Sequence, residues 1–201
     1  AYMIEWADAA RSVRTRGGER PAVAGQPPVF ADLQRAIWDD GPRAVGAALL
    51  ATTLLLLTTF RRWGERAATL GALLLGILWM AALMAAGHIK LNFLNFVAFP
   101  ITFGNGVDYG VNVMRRYVQE IDARAGDRLA AARAAVEGTG GAVVLCSLTT
   151  IIGYISLYTS TNKALNSFGA AMAISEVTCV MAGVLTLPAL LVYVARRRER
   201  T

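Results

Sequence analysis

Residues 101–120 read ITFGNGVDYGVNVMRRYVQE, and they set a carboxylate, Asp108, inside an apolar run that meets its first arginines only at Arg115 and Arg116. A charge at bilayer depth costs about 2.5–3.5 kcal/mol on insertion scales, so it normally has a use and a partner. On a helix, Asp108 shares a face with Asn105 at i−3 and Asn112 at i+4. Gly104, Gly106 and Gly110 surround this polar stripe, and small residues let neighbouring backbones approach closely. The stripe is therefore expected to be enclosed in protein. Tyr109 points about 100° away around the same helix, where its phenol would meet a group on a neighbouring span.

The rest of the chain supports a bilayer setting. Its 201 residues are 55% hydrophobic and 17% charged, with a mean hydropathy of +0.45. Soluble domains carry about 25% charged residues. The apolar residues gather in five runs of membrane-spanning length: 44–60, 67–87, 91–114, 141–158 and 168–195. The expected fold class is an all-α membrane protein, with a membrane domain over 42–195.

The net charge of +6 comes with a one-sided distribution. Twelve arginines lie after spans one, three and five, among them Arg61, Arg62, Arg66, Arg115, Arg116, Arg124, Arg128 and Arg133. The alternate loops hold only Lys90 and Lys163. That is the positive-inside bias, which accounts for the basic excess without nucleic acid and predicts a cytoplasmic C-terminal tail over 196–201. The N-terminal segment then lies outside. An odd number of spans entered from a polar segment suggests part of a longer protein.

Residues 1–41 read as the tail of an extracytoplasmic domain. A helix is expected over 2–16, then a GGERPAVAGQPP connector, then a second helix that stops at Asp40-Gly41, with Pro42 opening the first span. Residues 115–140 carry a weak apolar stripe of Ile121, Leu129, Ala132 and Val136. This suits either an amphipathic helix on the membrane surface or a solvated connecting helix. Gly138, Gly140 and Gly141 would then release the chain into span four. Cys146 and Cys179 both fall in spans and read as packing residues. With one His and two such Cys, no metal or cofactor is expected.

Possible partners for Asp108 sit on other spans: Ser147, Thr150 and Tyr154 share one face of span four, and span five carries Ser175, Glu176 and Thr178. A buried carboxyl holds its proton more tightly and releases it when water enters. The pattern therefore suits a proton relay, with Asn105, Asn112, Ser147, Thr150 and Glu176 as supporting polar groups. Glu176 is expected to be secondary to Asp108. GNGVD differs from the GxGD signature of intramembrane aspartyl proteases by one residue, and no second Asp occurs in the five runs, so no enzyme is expected.

GVDYGVNVMRRY, followed by GGAVVLCSLTTIIGYISLYTSTNKALNSFGAAMAISEVTCVMAGVLTLPALL, resembles the C-terminal half of a resistance–nodulation–division (RND) transporter. The likeness covers about residues 28–195 and lies in the branch that carries lipids, related to the mycobacterial membrane-protein-large transporters. Within it the sequence is most similar to the hopanoid-biosynthesis-associated members. This resemblance implies a twelve-span protein of the bacterial inner membrane, with the five spans here as the eighth to twelfth. It also implies a proton relay at Asp108 and Tyr109, paired with a matching Asp-Tyr pair in an N-terminal half, and a periplasmic N-terminal segment. The expected partners are membrane lipids, a lipid or hopanoid substrate, that other half and a second copy in a homodimer. Two alternatives are a subunit of the related protein-export motor and a non-transporting scaffold resembling sterol-sensing domains.

Overall fold

A computed structural model describes residues 2–14, 26–89 and 92–199. Lys90, Arg200 and most of the expected connector, residues 17–25, lie outside the described residues, as does Leu91 at the expected start of span three. All regular structure among the described residues is helical: α1 Tyr2–Ser12, α2 Gln26–Thr59, α3 Trp63–Ala86, α4 Phe93–Ala123, α5 Arg128–Ala135, α6 Gly141–Tyr158, α7 Lys163–Val180 and α8 Leu187–Glu199. The widened π turns Val136–Gly140 and Met181–Thr186 join α5 to α6 and α7 to α8 without a break. The chain divides into two compact units, Ala1–Gly46 and Ala47–Thr201.

In the first unit α1 lies against the start of α2. Ala7 and Ala31 are buried, and ion pairs join the two helices. Arg11 grips both oxygens of Asp32 at 2.9 and 2.6 Å, and Arg35 pairs with Asp8. The expected stop at Asp40-Gly41 is absent, and α2 runs through it with Pro42 inside the helix. Proline there removes the bond to the Trp38 carbonyl and crowds it, and the apolar run that follows continues the same helix.

The second unit is a helical bundle centred on α3, α4 and α7. Met80, Met84, Ala98, Ala171 and Met172 form its buried core, with Phe99, Tyr154 and Phe168 packed around them. Its helix ends are closed by side chains. Asn92 caps α4 through the Asn95 N–H at 2.9 Å, and Asn162 caps α7 through the Ala164 N–H at 2.9 Å. Arg66 donates to the carbonyls of Phe60 and Leu57 at the end of α2, at 2.8 and 2.9 Å. These serve carbonyls that a helix end leaves without intrahelical partners.

Among the described residues, four helices are long and apolar enough to cross a membrane: Pro28–Thr59, Trp63–Ala86, Arg128–Tyr158 and Lys163–Arg197. With 31 residues α4 has the length, but its polar stripe keeps it out of that group. Its inward face is sheltered by neighbours instead, with Asn95 and Thr102 fully buried.

The segment 115–140 is shared between two helices. Its first part extends α4 to Ala123, and its second part is the start of the rod that becomes α6. A tight turn connects them: Ala125 and Gly126 adopt φ of 50° and 92°, and the Gly126 N–H returns to the Ile121 carbonyl at 3.0 Å. Asp127 then caps α5 through the N–H groups of Leu129 and Ala130 at 3.1 and 3.0 Å. Ala131, Ala132 and Ala135 are buried as α5 packs on α4 and α8. The glycines expected to release the chain sit in and just after the π turn, which stays helical.

Candidate functional site

Where α4 meets α7 and the π turn that continues it, residues spaced four apart on each side face one another in three layers. At the first, Thr102 Oγ1 lies 2.7 Å from Ser175 Oγ and also donates to the Ala98 carbonyl at 2.8 Å. At the second, Gly106 faces Cys179, and a Cβ on Gly106 would come within 2.8 Å of the Cys179 sulfur and of Leu73 Cδ1. At the third, Gly183 faces Tyr109 and Gly110, where an added Cβ would sit 2.9 Å from Tyr109 Cβ and 3.2 Å from the Gly110 nitrogen. Thr69 of α3 closes on Gly110 from the other side. Small residues at these steps let three backbones converge on one point.

Tyr109 stands at that convergence. Its hydroxyl donates to the carboxylate of Glu176 on α7, and both residues are buried, Glu176 to 2% exposure. Ser147 on α6 is also buried. Asn105 donates to the Tyr154 hydroxyl at 3.4 Å, tying α4 to α6. Tyr109 and Glu176 form the back wall of a groove of about 510 Å³ between α4 and the α5–α6 rod. Asn105, Asp108 and Asn112 line one side of it, and Thr139, Cys146 and Thr150 the other.

The site residues read from the sequence therefore divide. Tyr109, Asn105, Asp108, Asn112, Thr150 and Glu176 share one groove. Asp108 and Asn112 are exposed on its open side, so the stripe is not enclosed by the described helices. Thr150 turns its hydroxyl back to the Cys146 carbonyl at 3.1 Å. Gly106 and Gly110 are close-approach positions, whereas a Cβ on Gly104 would meet only open space. Cys179 is buried and Cys146 is exposed in the groove, which corrects the reading of Cys146 as a packing residue.

Sequence reasoning missed Gly183, Gly76 and Gly169. A Cβ at Gly76 would lie 3.1 Å from Cys179 Cα, and one at Gly169 2.6 Å from the Tyr154 carbonyl oxygen. The spacing Ser175, Cys179, Gly183 was the available signal, matching Thr102, Gly106, Gly110 across the interface. Chemically, the groove offers an open carboxyl and a buried one held by a phenol. Both can take and release protons. Among the described residues no three His, Cys, Asp or Glu side chains gather to hold a metal ion.

Residues 4–201 match the sequence profile described as the MMPL family. A membrane protein of Methanocaldococcus jannaschii is 25% identical over 176 residues, which are 87% of this chain and 45% of that protein. The protein-export membrane protein SecF of Methanopyrus kandleri is 31% identical over 120 residues, which are 57% of this chain and 43% of that protein. The chain thus spans less than half the length of either relative.

Proposed function

Because this chain, a multi-pass membrane protein, belongs to the MMPL family, we propose that it is the proton-handling part of a transporter exporting lipids or other hydrophobic molecules, with hopanoids as the substrate class. The observation that carries this reading is the groove in which Asp108 stands open while the Tyr109–Glu176 pair is buried behind it. An open carboxyl can exchange protons with water. Asp108 and Glu176 lie on facing helices held together by close backbone contacts.

The mechanism follows from charge and packing. An ionised Asp108 favours a hydrated, open groove. A protonated Asp108 carries no charge and allows α4 and α6 to draw together. Proton binding thus biases a two-state element. Moving one charge across the bilayer supplies about 2.3 kcal/mol per 100 mV of membrane potential. Outer domains would convert that bias into movement of substrate. In this reading the open side of the groove is met by an N-terminal half with its own Asp-Tyr pair, in an inner-membrane protein whose basic loops are cytoplasmic and whose N-terminal segment is periplasmic. Two copies of the transporter would assemble as a homodimer.

The likeness to SecF favours one other reading, a subunit that couples protons to protein export. The groove would serve the same role, and the cargo would be polypeptide. The experiment uses the full-length transporter in proteoliposomes under an imposed pH gradient, wild type against Asp108→Asn, followed with a hopanoid probe. Gradient-dependent flux that disappears in the variant supports the proposal. Equal flux in both proteins removes Asp108 from the relay. No flux in either, together with gradient-driven uptake of an exported polypeptide, favours the second reading.

A further inference from the structure

The basic end of the bundle contains a second groove, separate from the proton-handling site. It has a volume of about 580 Å³ and lies between α3, α4 and α8, within the range of small-molecule sites. Its walls are apolar: Ala68 of α3 faces Leu190, Leu191 and Val194 of α8, and Leu190 and Val194 are exposed. Two arginines line it, Arg62 before α3 and Arg128 at the start of α5.

The one acid in the lining, Glu65, is already engaged. It accepts from the Arg62 backbone N–H at 3.4 Å and lies 4.0 Å from the Arg62 guanidinium. Arg128 is half-buried and makes no ion pair among the described residues, and its place in the first turn of α5 sets it against the positive end of the helix dipole. Arg128 thus stands without an ion-pair partner among the described residues, beside an apolar trough.

The aromatic residues place this groove at a membrane–water boundary. Trp63, next to Arg62, is 74% exposed and stacks under Arg66 at 5.0 Å. Tyr193, on the same stretch of α8 as the apolar wall, is 63% exposed. Exposed Trp and Tyr beside apolar spans occupy the headgroup level of a bilayer, and basic pockets between spans at that level suit anionic headgroups.

We propose that this groove binds one anionic phospholipid, its phosphate between Arg62 and Arg128 and an acyl chain along Leu190, Leu191 and Val194. A free anion would leave the apolar wall unused, and a zwitterionic lipid would bring its own cation beside the two arginines.

The test uses the full-length protein in detergent, following thermal unfolding while phosphatidylglycerol, phosphatidylcholine with the same chains, or inorganic phosphate is added. Phosphatidylglycerol should raise the unfolding midpoint saturably, at about tenfold lower concentration than phosphatidylcholine, and phosphate should leave it unchanged. The double variant Arg62→Gln/Arg128→Gln should lose that preference, and Arg62→Lys/Arg128→Lys should keep most of it. Equal responses to the two lipids, an equal response to phosphate, or a preference that survives in the glutamine variant would each overturn the proposal.

Discussion

The Tyr109 hydroxyl on α4 donates to the Glu176 carboxylate on α7, at a point where Gly183 lets the α7–α8 rod approach the α4 backbone. A hydrogen bond between two long side chains is thereby set by residues that carry no side chain of their own. The polar pair and the small-residue interface form one device.

Removing the phenol should show how far the pair depends on that bond. Tyr109→Phe leaves a buried carboxyl without its donor, an effect of about 1–3 kcal/mol. Its thermal unfolding midpoint in detergent should fall clearly below wild type. Glu176→Gln keeps an acceptor of nearly the same shape and should stay close to wild type in the same assay. A Tyr109→Phe midpoint equal to wild type would mean that the carboxyl finds another partner.

In transport the order of the two carboxyl groups is the question. We expect Glu176→Gln to weaken gradient-driven flux and Asp108→Asn to abolish it, since Asp108 faces the open groove and Glu176 is held by Tyr109. Equal loss in both variants would move the essential proton to the buried pair.

Glycines along α4 and the facing rod should separate by contact. Gly183→Ala would force a Cβ to 2.9 Å from Tyr109 Cβ, an overpacking effect of about 1–3 kcal/mol. Gly104→Ala meets open space and gains helix propensity of about 0.5–1 kcal/mol. Unfolding midpoints should therefore shift in opposite directions, and a shift of the same sign in both would contradict the packing described.

Beyond the apolar part of α4, Glu120 is clamped between Arg116 at 2.7 Å and Arg124 at 2.9 Å. The hydrogen bond from Arg124, with the charge of both arginines, holds its pKa below the usual glutamate value of 4.5. A carboxyl depressed in the folded state adds stability above its unfolded pKa, and loses it as pH falls through the folded value. The difference in unfolding midpoint between wild type and Glu120→Gln should thus be present near neutrality and vanish in acid. It should also shrink in high salt, because exposed pairs are screened. A difference that grows in acid would reverse the assignment.

Much of this protein follows from one-dimensional pattern. Apolar runs of bilayer length made an all-helical membrane protein legible, because a backbone without water must satisfy its own hydrogen bonds. A charge among them marked Asp108, and the neighbouring stripe placed Asn105 and Asn112 beside it. The boundaries were less legible. Asp40-Gly41-Pro42 and the glycines at 138–141 look like breaks, yet α2 and the α5–α6 rod pass through them, since long apolar helices absorb a proline or a π turn when the residues on either side remain helical. What tertiary structure alone decided is pairing across helices. Whether Tyr109 meets Glu176, whether Gly106 rather than Gly104 lies at a contact, and which carboxyl is buried all depend on the rotation of α4 against α7. That rotation is set by the fit of Thr102, Gly106 and Gly110 against Ser175, Cys179 and Gly183, and no spacing along a single helix specifies which face of its neighbour it will meet.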